Sequence, residues 1–434
     1  MGPAPVFLER SDELPLVDVE VLLRRGSASD PAGRDGLSTA LARVIRRGTG
    51  DLSAEAIDER IDGLGASLAF SVQRSTVRVQ GTVIRRNLRP FVELLGRLLG
   101  APRLAEEDVA QVRRTMEADL VTLRDADRSL AARAFRAHLF GEHPYGRSPL
   151  GTSASLRALS RDDLLRHHRQ AYTKAQMVIG LAGDLDGAEL EGWLDEALAP
   201  VADGTVHADG TVLEDGTPAT ATPAGPRVLV VDKPERTQTQ LVLGVLGSRY
   251  DDPDHHALLV ANAAFGGTFT SRLVREVRSE RGWSYAAGSA LGVDRRRDAW
   301  TVWTQPATDQ LLDCLALELE LLKAWVEGGL SPAEVERAKS FLIKSHPFDR
   351  DTPLKRLAPR LEAELHGLPL GRWLRFPEHV ARVTPFDANR AVEQRFALAD
   401  LAVVVVATAT ASLLEGLGRR VGVPHVDVVS FLDV

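Results

Sequence analysis

The chain repeats itself once, and that repeat limits its fold more than any other feature. PLVDVEVLLRRGSASDPAGRDGL, starting at Pro15, is answered by QTQLVLGVLGSRYDDPDHHALL, starting at Gln238. Each copy has an alternating strand, a Gly-Ser turn, an Asp-Pro and the start of a helix. The far ends match as well: LSRDDLLRHHRQAYTKAQMVIGLAGD from Leu159 and VTPFDANRAVEQRFALADLAVVVVATA from Val383 are each a helix running into an apolar strand. A period of about two hundred residues points to a duplicated domain, since a solenoid would repeat every ~20–50 residues. VADGTVHADGTVLEDGTPATATPAGP, from Val201 to Pro226, lies between the copies, has no sustained period and is rich in Gly, Pro, Ala, Thr and Asp. The expected division is an N-terminal domain over 1–200, a linker over 201–226 and a C-terminal domain over 227–434.

Within the first copy the periodicity predicts strands at 17–24, 66–73, 75–83 and 177–183. Helices are expected at 36–47, 53–63, 87–99, 104–124, 129–140 and 160–171. Strands are expected again near 227–232, 239–247, 285–293 and 299–305. Strands separated by runs of helices imply an α+β class: two homologous halves, each a mixed or antiparallel twisted sheet covered on one face by helices.

The formal net charge of −7 argues against a nucleic-acid footprint, which needs a concentrated basic face. No apolar stretch is expected to reach the ~18 residues of a membrane span. MGPAPVFLERSDELP lacks a basic start followed by an apolar run, so the expected compartment is the cytoplasm; a leader removed in processing would place the chain in the periplasm. Cys314 is the only cysteine, which rules out an intrachain disulfide or a thiolate metal cluster. Its apolar helical setting makes it a small buried hydrophobe.

GLSTALARVIRRGT, Gly36 to Thr49, places Leu37, Ala40, Leu41, Val44 and Ile45 on one helical stripe. Asp35 is the expected N-cap, and Gly48 the expected left-handed C-terminal residue. Thr39, Ala42 and Arg43 offer neither a metal ligand nor a general base. His255 with His256, and His167 with His168, are adjacent on helices and face different ways, so neither pair is read as a metal site. His143 is read as structural.

On PLVDVEVLLRRGSASDPAGRDGLSTALARVIRRGT, LFGEHPYGRSPLGT, DKPERTQTQLVLGV and, above all, FGGTFTSRLVREVRSERGWSYAAGS, the chain resembles the insulinase-like zinc peptidases of the pitrilysin and mitochondrial-processing type. Active members carry His-x-x-Glu-His on the helix after the first strand. Histidines at i and i+4 share a face and can both reach zinc, and the intervening Glu can deprotonate the metal-bound water. The resemblance puts these positions at Thr39, Ala42 and Arg43, and the downstream acidic ligand near Asp119, with Glu117 close by. No zinc site is expected in this chain.

The resemblance also implies an Arg/Tyr pair seven residues apart, here Arg278 and Tyr285. Arg278 is expected on the last turn of a helix over 271–280, Gly282 to break that helix, and Tyr285 to open a strand. A Tyr hydroxyl can donate to a developing oxyanion and an Arg can hold a flanking carbonyl. Gly266 and Gly267 are expected to let a peptide backbone approach, and Arg272 to line the cleft. The implied role is a non-catalytic, substrate-binding subunit. A homologous partner with His-x-x-Glu-His would bind zinc, form a heterodimer and cleave peptides or unfolded segments. The alternative is an inert structural or peptide-binding scaffold, homodimeric in one form.

Overall fold

The computed structural model describes residues 4–204, 221 and 224–434. Two sheets organise it. The first contains β1 (Val6–Arg10), β2 (Leu16–Leu23), β3 (Ser67–Val72), β4 (Val77–Ile84) and β5 (Met177–Gly183). The second contains β6 (Arg227–Asp232), β7 (Gln240–Leu246), β8 (Gly288–Leu291), β9 (Ala299–Thr304), β10 (Ala402–Ala407) and β11 (Asp427–Ser430).

The strand orders are β3-β4-β2-β5-β1 and β8-β9-β7-β10-β6-β11. Apart from β11, position answers position. In each sheet a central strand runs antiparallel to both neighbours, Val21 opposite Ile179 and Val79 in one, Leu243 opposite Val302 and Val403 in the other. In each, the last strand of the repeat pairs in parallel with the first: Ile179 with Val6, Val404 with Leu229. The duplication legible in the sequence is therefore a duplication of topology. β1 and β11 were not anticipated. VFLER and DVVS are short edge strands with little apolar alternation.

Alternation along the strands separates two faces. Val17, Val19, Val21 and Leu23 of β2 join a core with Leu41, Val44, Phe91 and Leu95 from the covering helices. Leu22 faces the other way and packs with Val178, Ala182, Leu357, Leu361 and Leu365. The last three lie on the helix Pro353–His366, which comes from the second half of the chain. Reciprocally, the helix Asp127–Phe140 from the first half packs against β7 and β10 of the second sheet. Each sheet thus carries one helix on the face opposite its main helical layer.

The compact units follow these contacts. One comprises Met1–Leu120, Arg147–Gly216 and Pro347–Leu374; the other comprises Val121–Gly146, Thr217–His346 and Arg375–Val434. The sequence division at 1–200 and 227–434 was contiguous, whereas the contact units exchange one helical segment in each direction. The linker reading over 201–226 falls mostly outside the described residues. Val201 is buried, and Ala202 O accepts from Lys174 N at 2.9 Å, so this end of the segment packs on the first unit.

One stretch departs from the membrane-span expectation. His255–Glu280 is long and apolar enough to match a span by composition, but 61% of its apolar window is buried in the protein. It is core, interrupted by a turn around Phe269.

Candidate functional site

The helix at the front of the first unit runs Leu37–Ile45. Its N-terminus is capped from a distance: Asp30 accepts from Gly36 N and Ser38 N at 3.0 Å each, and from Ser38 Oγ at 2.6 Å. A carboxylate there satisfies donors that the helix leaves open and complements the helix dipole. Asp35, the expected cap, instead pairs with Arg147 at 3.2 Å. Gly48 is not the C-terminal residue either. Arg46 ends the helix, and Gly48 enters a two-residue strand against Arg103. His167 Nε2 lies 3.1 Å from Ser38 Oγ. This Asp–Ser–His contact is no nucleophile system, because Ser38 is buried and its hydroxyl donates to Asp30.

At the motif positions, Thr39 donates its hydroxyl to Pro149 O at 2.6 Å. Ala42 is buried and has no polar side-chain atom. Arg43 Nη1 meets Asp119 Oδ2 at 2.6 Å, both side chains about a third exposed (35% and 39%). Glu117 is turned to Arg157, at 3.6 Å. These residues do not fit a zinc ion. There is one carboxylate and no imidazole, and a guanidinium already occupies that carboxylate. Among the described residues no group of three or more His, Cys, Asp or Glu side chains converges as a metal site.

The second candidate region lies between β7 and β8 in sequence. The helix His255–Asn262 widens into a π-helical stretch, Ala263–Gly267, and after the turn Arg272–Val274 leads into another, Arg275–Glu280. Wide turns of this kind re-aim side chains and recur at functional sites. Asn262 Oδ1 accepts from Ser289 Oγ at 2.7 Å and Trp300 Nε1 at 2.8 Å, tying the first wide stretch to the sheet. Ser271 Oγ donates to Thr268 O at 2.5 Å, closing the turn that holds Phe269 outward. Gly282, at φ +65°, reverses the chain after the second stretch. The hydroxyl of Ser284 donates to Ala286 O at 2.7 Å and accepts from Gln305 N at 2.8 Å. The loop carrying Tyr285 is thereby pinned on both sides. Tyr285 precedes β8 by three residues rather than opening it.

Arg278 and Tyr285 come together, and Phe269 joins them. The guanidinium lies 4.5 Å from the Tyr285 ring centre and 4.4 Å from that of Phe269. Both rings are exposed, Tyr285 at 84% and Phe269 at 73%. Sequence reasoning missed Phe269; the available signal was a large aromatic set among Gly, Thr and Ser in a turn.

Gly266, Gly267 and Arg272, the other expected contacts, differ in their surroundings. Gly266 is buried, and a Cβ there would lie 2.5 Å from Ser289 Oγ, so β8 fills the space that a peptide was expected to use. Gly267 is exposed beside Asn262. Arg272 forks onto Glu334, both contacts at 2.9 Å, and donates to Gly329 O at 3.0 Å. It ties two helices together and has little to offer a ligand. Burial opposes ionisation of Glu334, but hydrogen bonds from Arg272 and Ser331 bring its carboxyl down to about 2.

The profile described as insulinase (peptidase family M16) matches residues 6–153, and that of the peptidase M16 inactive domain matches 158–342. The chain belongs to the M16 family. An uncharacterized zinc protease of Mycobacterium leprae is 29% identical over 76% of this chain and 74% of its own length. A non-peptidase homolog of Helicobacter pylori is 22% identical over 93% of this chain and 91% of its own. Among solved structures, an M16 inactive domain from Pseudomonas fluorescens superposes with a TM-score of 0.85 at 23% identity, covering 94% of this chain and 96% of that one. A chain of complex III2 from Candida albicans gives 0.76 at 16% identity, covering 96% of each. These likenesses establish the two-unit α+β fold. With Thr39, Ala42 and Arg43 at the motif positions, this M16 chain is an inactive homologue.

Proposed function

We propose that this chain is the non-catalytic, substrate-binding subunit of a heterodimeric zinc peptidase. Its partner is a homologous M16 chain with His-x-x-Glu-His, and the substrate is a peptide or unfolded segment. The observation that carries this reading is the contrast between its two sites. The zinc positions are filled by a Thr, an Ala and an Arg–Asp ion pair, while Arg278 and Tyr285 are assembled, pinned from both sides and turned to solvent. Zinc on the partner would supply the activated water. From this chain, the Tyr285 hydroxyl would donate to the oxyanion forming on the scissile carbonyl, and Arg278 would hold the substrate beside it. An extended peptide presented there would gain hydrogen bonds by strand addition.

The test is native purification from the source organism with mass spectrometry of the complex. The expected result is a second chain of similar length carrying His-x-x-Glu-His, with about one zinc per pair. In that complex Tyr285→Phe lowers kcat by roughly one to three orders of magnitude, the range for removing one oxyanion donor, and leaves assembly intact. Recovery only as a metal-free monomer or self-dimer overturns the reading in favour of a scaffold.

A further inference from the structure

Arg278 differs from every other arginine in its segment. Arg272 is neutralised by Glu334, and Arg275 and Arg281 share Glu276. The Arg278 carbonyl accepts from Gly282 N at 3.1 Å, but its guanidinium has no hydrogen bond or ion pair with any described residue, and neither does the Tyr285 hydroxyl. What the guanidinium has instead is contact with two aromatic rings, lying 4.4 Å from the centre of Phe269 and 4.5 Å from that of Tyr285. Two large rings exposed at 73% and 84% gain little from packing against one another. Their shared contact with one guanidinium restrains it in advance and removes part of the rotamer freedom that a surface arginine would lose on binding.

The N–H donors of a guanidinium lie in one plane as a fork, and no side-chain or backbone acceptor among the described residues engages those of Arg278. That fork matches a carboxylate, which accepts two parallel hydrogen bonds. A single peptide carbonyl would engage part of the fork and leave the charge without a counter-ion. A dianionic phosphate would call for more than one uncompensated cation, and the adjacent arginines are already paired.

We propose that Phe269, Arg278 and Tyr285 form a carboxylate receptor, so that the peptide held by this chain presents there either its free C-terminus or an Asp or Glu side chain. This rests on the reading that the loop faces a peptide substrate, and it assigns Phe269 as the positioning residue that restrains Arg278.

The experiment uses the full chain alone, without a partner, and dye-labelled alanine-rich hexapeptides read by fluorescence anisotropy. Four forms are compared: a free C-terminus, a C-terminal amide, an amide with an internal Glu, and the same amide with Gln. The carboxylate-bearing form of one pair is expected to bind about 10-fold more tightly than its neutral counterpart. The pair that shows the gap identifies the source of the carboxylate. The gap shrinks in high salt, closes in Arg278→Lys, which keeps the charge but loses the fork, and narrows in Phe269→Leu. Equal binding of charged and neutral peptides overturns the proposal. So does a preference that survives Arg278→Lys, or no binding of any form. Thermal melts check that the variants fold; if Arg278→Lys does not, the salt dependence of the unsubstituted chain decides. Composition of the native complex is a separate readout, so failure here and failure of the heterodimer reading remain distinguishable.

Discussion

Arg43 supplies without loading what a metal ion supplies only when bound, a positive charge against Asp119. The ion pair is short but about a third exposed on both sides, and pairs of that kind contribute at most about 1 kcal/mol. Fold stability therefore gives little reason to keep it, and the helix Leu37–Ile45 stands on its buried stripe and on Asp30 instead. The prediction at this scale is that side-chain identity, and not backbone geometry, removes the metal site. Arg43→His alone is expected to hold no zinc, because Thr39 is bonded to Pro149 O and offers no imidazole. Thr39→His with Arg43→His restores two histidines at i and i+4 facing Asp119. Zinc analysis after dialysis should then find about one ion per chain. If the double variant stays metal-free, the backbone around the site has moved as well. The family resemblance made Thr39, Ala42 and Arg43 legible. It could not reveal the Arg43–Asp119 contact between residues 76 apart, nor Phe269, because a family pattern names only the positions it already knows.

Among the elements, the exchanged helices are where sequence reasoning stopped short. Leu357, Leu361 and Leu365 recur at i, i+4 and i+8 and announce a buried face, but a stripe does not name the sheet it covers. The sheet side of the contact is equally silent. Gly180 in β5 and Gly244 in β7 read as ordinary strand glycines, yet each opens room for the crossing helix. A Cβ on Gly180 would lie 2.6 Å from Leu361 Cδ1, whereas one on Gly244 would overlap the carbonyl oxygen of Trp300 and come within 3.0 Å of Phe135. The physical difference is that a leucine terminus can rotate away and a central-strand carbonyl cannot. Gly180→Ala is therefore expected to lower stability by less than about 1 kcal/mol. Gly244→Ala should cost about 1–3 kcal/mol or more, as an overpacked core does. Urea titration of the two variants tests this, and equal losses would remove the distinction between mobile and fixed neighbours.

For the whole molecule, the two homologous halves were legible because burial on the central strands writes long Val/Leu runs into both copies, whereas the strand order and the edge strands β1 and β11 were not. Nor were the polar groups sealed inside the halves, and they set how stability responds to pH. Glu318, on the helix Leu311–Gly328, is fully buried; its Oε1 accepts from Thr304 Oγ1 at 2.7 Å and from the Cys314 thiol at 3.5 Å, while its Oε2 has no partner. Burial pushes its carboxyl up to about 7. In the other unit, burial likewise pushes Asp30 up to about 7 against its hydrogen bonds from Ser38 and Gly36. A carboxyl raised in the folded state contributes stability that is complete below its unfolded value near 4.5 and is lost as pH rises through about 7. Glu334, held at about 2, acts in the opposite sense: its contribution is present above the unfolded value and is lost as pH falls. The combined contribution of these three groups is therefore largest near the unfolded carboxyl values, about pH 4–4.5, and falls on either side. For Glu318 alone the alkaline loss approaches about 3 kcal/mol, since each pKa unit carries about 1.4 kcal/mol. Glu318→Gln cannot ionise, so its melting temperature should fall less than that of the unsubstituted chain between pH 5 and pH 8, with the acid limb unchanged. Calorimetry across that range decides, and parallel curves for the two proteins would mean that Glu318 keeps its charge inside the core.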